Sequence, residues 1–80
     1  MNSNTVNVLV FRTNINSAQR LHKAACRLCK LRSICRWSVD MEDRDCVLRI
    51  ETPADSTNPY NEQAIIRLLT KAGLQCEVLP

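Results

Sequence analysis

The chain has one glycine, and one each of phenylalanine, tyrosine, tryptophan and histidine, in 80 residues. Each shortage removes a class of function. A single glycine cannot build the glycine-rich turn through which backbone amides cradle a nucleotide's phosphates. Three aromatic side chains are too few for a sheet surface that stacks successive bases, so nucleic acid is not an expected partner. The sole histidine has no carboxylate at helical spacing and no Ser/His/Asp grouping around it, so the chain is not expected to be an enzyme. No apolar run approaches the ~18 residues needed to cross a bilayer, and no membrane insertion is expected. The opening MNSNTVNVLVFR lacks the basic flank and long apolar run of a secretory leader, which predicts a cytoplasmic location.

Acidic residues are missing altogether from residues 1–39, which carry seven basic ones: Arg12, Arg20, Lys23, Arg27, Lys30, Arg32 and Arg36. Residues 40–80 hold all eight acids against Arg44, Arg49, Arg67 and Lys71, so the halves carry +7 and −4 of the net +3. Such an asymmetry steers encounters with an acidic partner. What remains is ordinary, with 45% hydrophobic and 24% charged residues, as expected for one globular domain over residues 1–80. Five cysteines, an odd number in a chain expected to meet a reducing compartment, argue against a disulfide framework. They are left as core packing, metal ligands or redox groups.

The hydrophobic pattern predicts six elements. VNVLVFR (6–12) is a strand by its β-branched content, with Leu9 and Phe11 facing inward. Asn16 with Gln19 three residues on has the form of a capping box, and a helix from there to about Leu31 would bury Ala18, Leu21, Ala25, Leu28 and Cys29. The run 35–42 alternates, with Cys35, Trp37, Val39 and Met41 on one face. After E-D-R-D, which reads as turn, solubility and edge protection, a second alternating run puts Cys46, Leu48 and Ile50 inward. TPADSTNPYN is a loop, Asn58 with Pro59 caps a second helix, and Ala64, Ile65, Leu68, Leu69 and Ala72 form its buried stripe. Gly73 ends that helix and LQCEVL is a last strand with Cys76 and Val78 inward. The order β-α-β-β-α-β predicts an α+β, ferredoxin-like fold: a four-stranded antiparallel sheet with two helices on one face. The other face stays open, and Val6, Val8, Val10 and Val47 on it predict a weak homodimer or a partner's contact on the strand face.

The segments VLVFRTNINSAQRL, WSVDMEDRDCVLRI and IIRLLTKAGLQCEVL, taken in this order and at these lengths, resemble the heavy-metal-associated (HMA) domain of copper chaperones and metal-pumping ATPases. That family's defining motif is Met-x-Cys-x-x-Cys in the first loop. Laid on this chain, the motif falls on Thr13, Ile15 and Ala18, and both thiols are missing. A soft Cu(I) ion needs thiolate donors, which isoleucine and alanine do not offer. The resemblance therefore implies the fold and a docking surface without the usual loop metal site.

Two other features carry chemistry. Cys26 and Cys29 lie three apart on the expected first helix with His22 one turn earlier, a set of soft donors suited to Cu(I) or Zn(II). Arg20, Lys23, Arg27 and Lys30 form a basic stripe, and in the resembling chaperones such a face docks acidic partner domains. Three readings follow. The first is a non-enzymatic interaction module tied to copper-type trafficking or homeostasis, whose partner is an acidic protein or a metal-transport protein. The second is a soft-metal carrier with a displaced site at Cys26, Cys29 and His22. The third is a small-ligand-sensing regulatory domain, since such modules share this element order.

Overall fold

The computed structural model describes residues 6–31, 36–53 and 61–79. Within them the chain forms β1 (Val6–Thr13), α1 (Ala18–Leu28), β2 (Arg36–Asp40), β3 (Val47–Pro53), α2 (Glu62–Lys71) and β4 (Cys76–Val78). The strands make one antiparallel sheet in the order β2-β3-β1-β4. This is the ferredoxin-like arrangement that the element order predicts.

Alternation along the strands sets which side chains enter the core. Phe11 of β1 pairs with Leu48 of β3, and Leu9 with Ile50, so all four project to the side that the helices cover. Phe11, Leu48 and Ile50 are wholly buried, joined by Ile15, Leu28, Ile65 and Leu69. Each of these side chains contributes roughly 1.5–3 kcal/mol relative to an exposed one. Trp37 and Val39 of the edge strand β2 are half-buried and pack on the rim of this core.

Helix α1 lies rotated from the orientation its spacing predicts. Its cap is Ser17, whose Oγ accepts the Arg20 N–H at 3.2 Å, not Asn16. Ala24 and Leu28 are buried, with Leu21 and Leu31 packed beside them. Ala18 and Cys29, predicted inside, are exposed, and Ala25 is half-buried. The adjacent alanines at 24 and 25 leave the stripe ambiguous by one residue. The leucines at 21, 28 and 31 resolve it, because they can reach the sheet together only when Ala24 lies at the centre of the face.

Helix α2 begins at Asn61, whose Oδ1 accepts the Ala64 N–H at 2.9 Å. The cap expected at Asn58 and Pro59 lies outside the described residues. Ile65 and Leu69 are buried and Ala64, Leu68 and Ala72 half-buried, as the stripe predicts. At its end Gly73 takes φ +85 and donates to Thr70 O at 2.9 Å, while Leu74 N–H reaches back to Leu69 O at 3.0 Å. These two bonds form a Schellman cap, and the left-handed residue it needs is the chain's one glycine.

Strand ends depart from expectation in two places. Strand β2 stops at Asp40, because the Asp40 carbonyl accepts Asp43 N–H and its Oδ1 accepts Glu42 N–H at 3.2 Å. Met41 consequently sits in the turn, 40% exposed, instead of facing inward. Val78 pairs with Phe11 yet is 39% exposed, because β4 is the outer edge of the sheet. Cys35 lies outside the described residues.

Candidate functional site

The loop between β1 and α1 is tied down at both sides. Thr13 is buried; its Oγ1 donates to Cys46 O at 2.6 Å and accepts the Ile15 N–H at 3.1 Å. Its own N–H reaches Asp45 O at 3.0 Å. Asn14 is bonded to the link between α2 and β4 in both directions: its N–H donates to Gln75 O at 3.3 Å and its Oδ1 accepts Gln75 N–H at 2.9 Å. These contacts turn Ile15 into the core, where none of it is exposed. Ala18 opens α1 and is exposed. A copper ion does not fit this loop: the Thr13 hydroxyl is committed, Ile15 faces inward, and neither Ile15 nor Ala18 has a donor atom.

The basic stripe is presented outward. Arg20, Lys23, Arg27 and Lys30 are all exposed. The helix AQRLHKAACRL contains no acid, and the two ion pairs formed among the described residues both belong to Arg12, with Asp45 at 3.4 Å and Glu77 at 3.0 Å. Arg20 is steadied by bonds from Nη1 to Asn16 Oδ1 at 2.8 Å and Asn14 O at 3.3 Å. Four acids of the second half, Asp40, Asp43, Asp45 and Glu77, are used locally instead. Asp43 Oδ1 accepts Asp45 N–H at 2.8 Å, so Asp40 and Asp43 serve as turn caps in addition to keeping the edge polar.

Of the three soft donors, the structure brings two together. His22 Nε2 lies 3.5 Å from Cys26 Sγ, one helical turn apart, and both residues are exposed. Cys29 is also exposed, with its thiol turned toward Cys26 O at 3.7 Å. Among the described residues no three His, Cys, Asp or Glu side chains are grouped to hold a metal ion.

The open sheet face is less apolar than the valine positions suggest. Val8 stands opposite Glu51 and Val10 opposite Arg49, so charges interleave with the valines. Val8 is 48% exposed, whereas Val10 and Val47 are half-buried. The positions where a base-stacking sheet would place aromatics carry Val8, Val10 and Arg49, and Phe11 and Trp37 lie on the helix side.

A cleft of about 410 Å³ runs beside β4, lined by Arg12, Thr13, Thr70, Leu74, Gln75, Cys76 and Glu77. Its cation is held by Asp45 and Glu77. The Cys76 thiol is pushed from 9.0 up to about 12, by burial first and by neighbouring Glu77 second. The neutral thiol is the form the fold favours, so its contribution to stability is complete below pH 9 and is lost as the pH rises from 9 through 12. Cys76→Ala is expected to flatten that part of the stability curve, measured by urea unfolding at intervals between pH 8 and 11. An unchanged slope would contradict the assignment.

The sequence spacing puts Cys29 together with Cys26 and His22, whereas the structure brings only the side chains of His22 and Cys26 together. Sequence reasoning missed the Thr13 hydroxyl bridge, for which an inward-phase threonine just before a loop was the available signal. No helix among the described residues is long and apolar enough to cross a membrane. Neither a family model nor a curated protein sequence matches the chain. Solved structures do. The apo form of the HMA domain of the copper chaperone for superoxide dismutase superposes with a TM-score of 0.72 at 16% identity, covering 100% of this chain and 74% of that one. A copper binding domain from HMA7, a P-type ATPase, superposes with a TM-score of 0.68 at 16% identity, covering 95% of this chain and 96% of that one. The chain thus shares the fold of these HMA domains, a ferredoxin-like βαββαβ sandwich of sheet and helices.

Proposed function

We propose that the chain is a small non-enzymatic docking module for copper-type metal trafficking or homeostasis, which recognises an acidic protein through the outer face of α1. One observation carries the reading: three exposed cations, Arg20, Lys23 and Arg27, share a helix that has no acid on it, and a fourth, Lys30, is exposed in the turn just past its end. Electrostatic faces of this kind raise association rates and impose salt dependence more than they add raw affinity. The structural likeness to copper-binding domains supports the setting, while the loop that lacks thiolate donors favours recognition over carriage. The soft-metal alternative has less support, since His22 and Cys26 approach each other while the Cys29 thiol is directed at the Cys26 carbonyl.

Cross-linking in extract from the source cells tests the proposal, with the Arg20→Glu, Lys23→Glu, Arg27→Glu triple variant as control. Proteins captured by the wild type are expected to be acidic, to fall away as salt is raised, and to be reduced at least about tenfold with the variant. An identical captured set, insensitive to salt, would count against α1 as the docking face.

A further inference from the structure

We propose that Cys26 is a thiol-exchange site for small anionic disulfides, with His22 receiving the thiol hydrogen and Lys23 and Arg27 holding the carboxylates of the incoming molecule. The inference stands whether or not α1 docks a protein.

An open groove of about 260 Å³ lies where α1 meets the end of α2, lined by His22, Lys23, Cys26, Arg27 and Ala72. The small side chain of Ala72 leaves the thiol approachable from that side. Within the groove the Cys26 sulfur lies within hydrogen-bond reach of His22 Nε2 at 3.5 Å, a thiol and imidazole pair of the kind that activates sulfur for attack. Two exposed cations flank the pair and no acid shares the helix, so an anionic co-reactant is drawn in and a cationic one repelled.

The other described thiols lack this combination. Cys46 is 6% exposed. Cys76 is half-buried beside Glu77. Cys29 is exposed, but its sulfur faces the Cys26 carbonyl and it does not line the groove.

In the step itself the Cys26 sulfur attacks one sulfur of the disulfide. A new S–S bond forms to Cys26 as the old one breaks, and the departing sulfur leaves with the bonding pair. The hydrogen lost from Cys26 passes to His22 and then to the departing sulfur, giving one mixed disulfide on the protein and one free small thiol. The disulfide is the oxidant, and no other reagent is required. Such exposed mixed disulfides are the transient, sensing kind that a reducing compartment tolerates. Here the adduct would set carboxylates in the middle of the basic face.

The full chain, reduced and held with a chelator, is to be treated with oxidised glutathione and, separately, with the cationic disulfide cystamine. Rates are followed by intact mass and peptide mapping and are normalised to a short cysteine peptide. The expected result is a single glutathionyl group on Cys26, added about tenfold faster than on any other cysteine and about tenfold slower in a folded His22→Gln variant. The preference for glutathione over cystamine should invert in Lys23→Glu, Arg27→Glu. First modification at another cysteine, an unchanged rate in His22→Gln, or faster normalised reaction of the wild type with cystamine would each overturn the proposal.

Discussion

Ile15→Ser is expected to remove most of the stability of this protein, while Ala18→Ser, three residues away in the same connection, leaves it within about 0.5 kcal/mol. Ile15 is wholly buried among Phe11, Leu28 and Leu69, the helix-facing core. Cutting it back deletes apolar contacts and leaves a cavity, at about 2–5 kcal/mol, and serine adds a buried hydroxyl that costs roughly 1–3 kcal/mol more. A domain of this size holds roughly 4–12 kcal/mol in total. Urea unfolding of the two variants should therefore differ by at least about 2 M in midpoint. Equal midpoints would mean that residue 15 is not part of the core. The comparison bears on the resemblance, which lays its two motif thiols on these positions; in this chain one is a core residue and the other a surface alanine.

The second large effect is expected at Cys46→Val. Cys46 sits at φ +44, in the left-handed region, directly after the turn that Asp40 and Asp43 cap. A β-branched residue is strongly disfavoured in that conformation, by more than the ~1–2 kcal/mol typical of an unbranched one. Relaxing the backbone would move the Cys46 carbonyl, which accepts the 2.6 Å bond from Thr13 Oγ1. That bond in turn fixes Ile15 N–H, so strain at 46 reaches the first loop across 33 residues of sequence. The expected loss is about 2–4 kcal/mol, of which Thr13→Val alone should reproduce roughly 1–2 through the buried groups it leaves unpaired. The two losses should combine less than additively in the double variant, because they act on one linkage. Strict additivity would contradict the linkage.

Local periodicity made most of the fold legible. The alternation of Leu9 and Phe11, of Leu48 and Ile50, and the stripe Ile65, Leu68, Leu69 each repeat a signal that packing then reinforces. The single glycine identified the end of α2 for the same reason, since one residue type meets the left-handed requirement without strain. Other features were hidden because they arise between distant segments. The burial of Ile15 depends on bonds from Thr13 to Cys46 and from Asn14 to Gln75, which leave no periodic trace. The rotation of α1 was obscured by Ala24 and Ala25 standing side by side, and with it the exposure of Cys29. The His22 and Cys26 approach was legible because i and i+4 side chains meet on any helix. The groove around it was not, because its far wall comes from Ala72 on another element.

The central claim is that the connection between β1 and α1 is a sealed structural link and not an ion site. Anaerobic addition of one equivalent of Cu(I) to the uniformly ¹⁵N-labelled chain, followed through the backbone amides, tests it most directly. The account predicts that the amides of residues 13–18 stay in place throughout. Shifts or broadening in those residues that saturate at one ion per chain would contradict it.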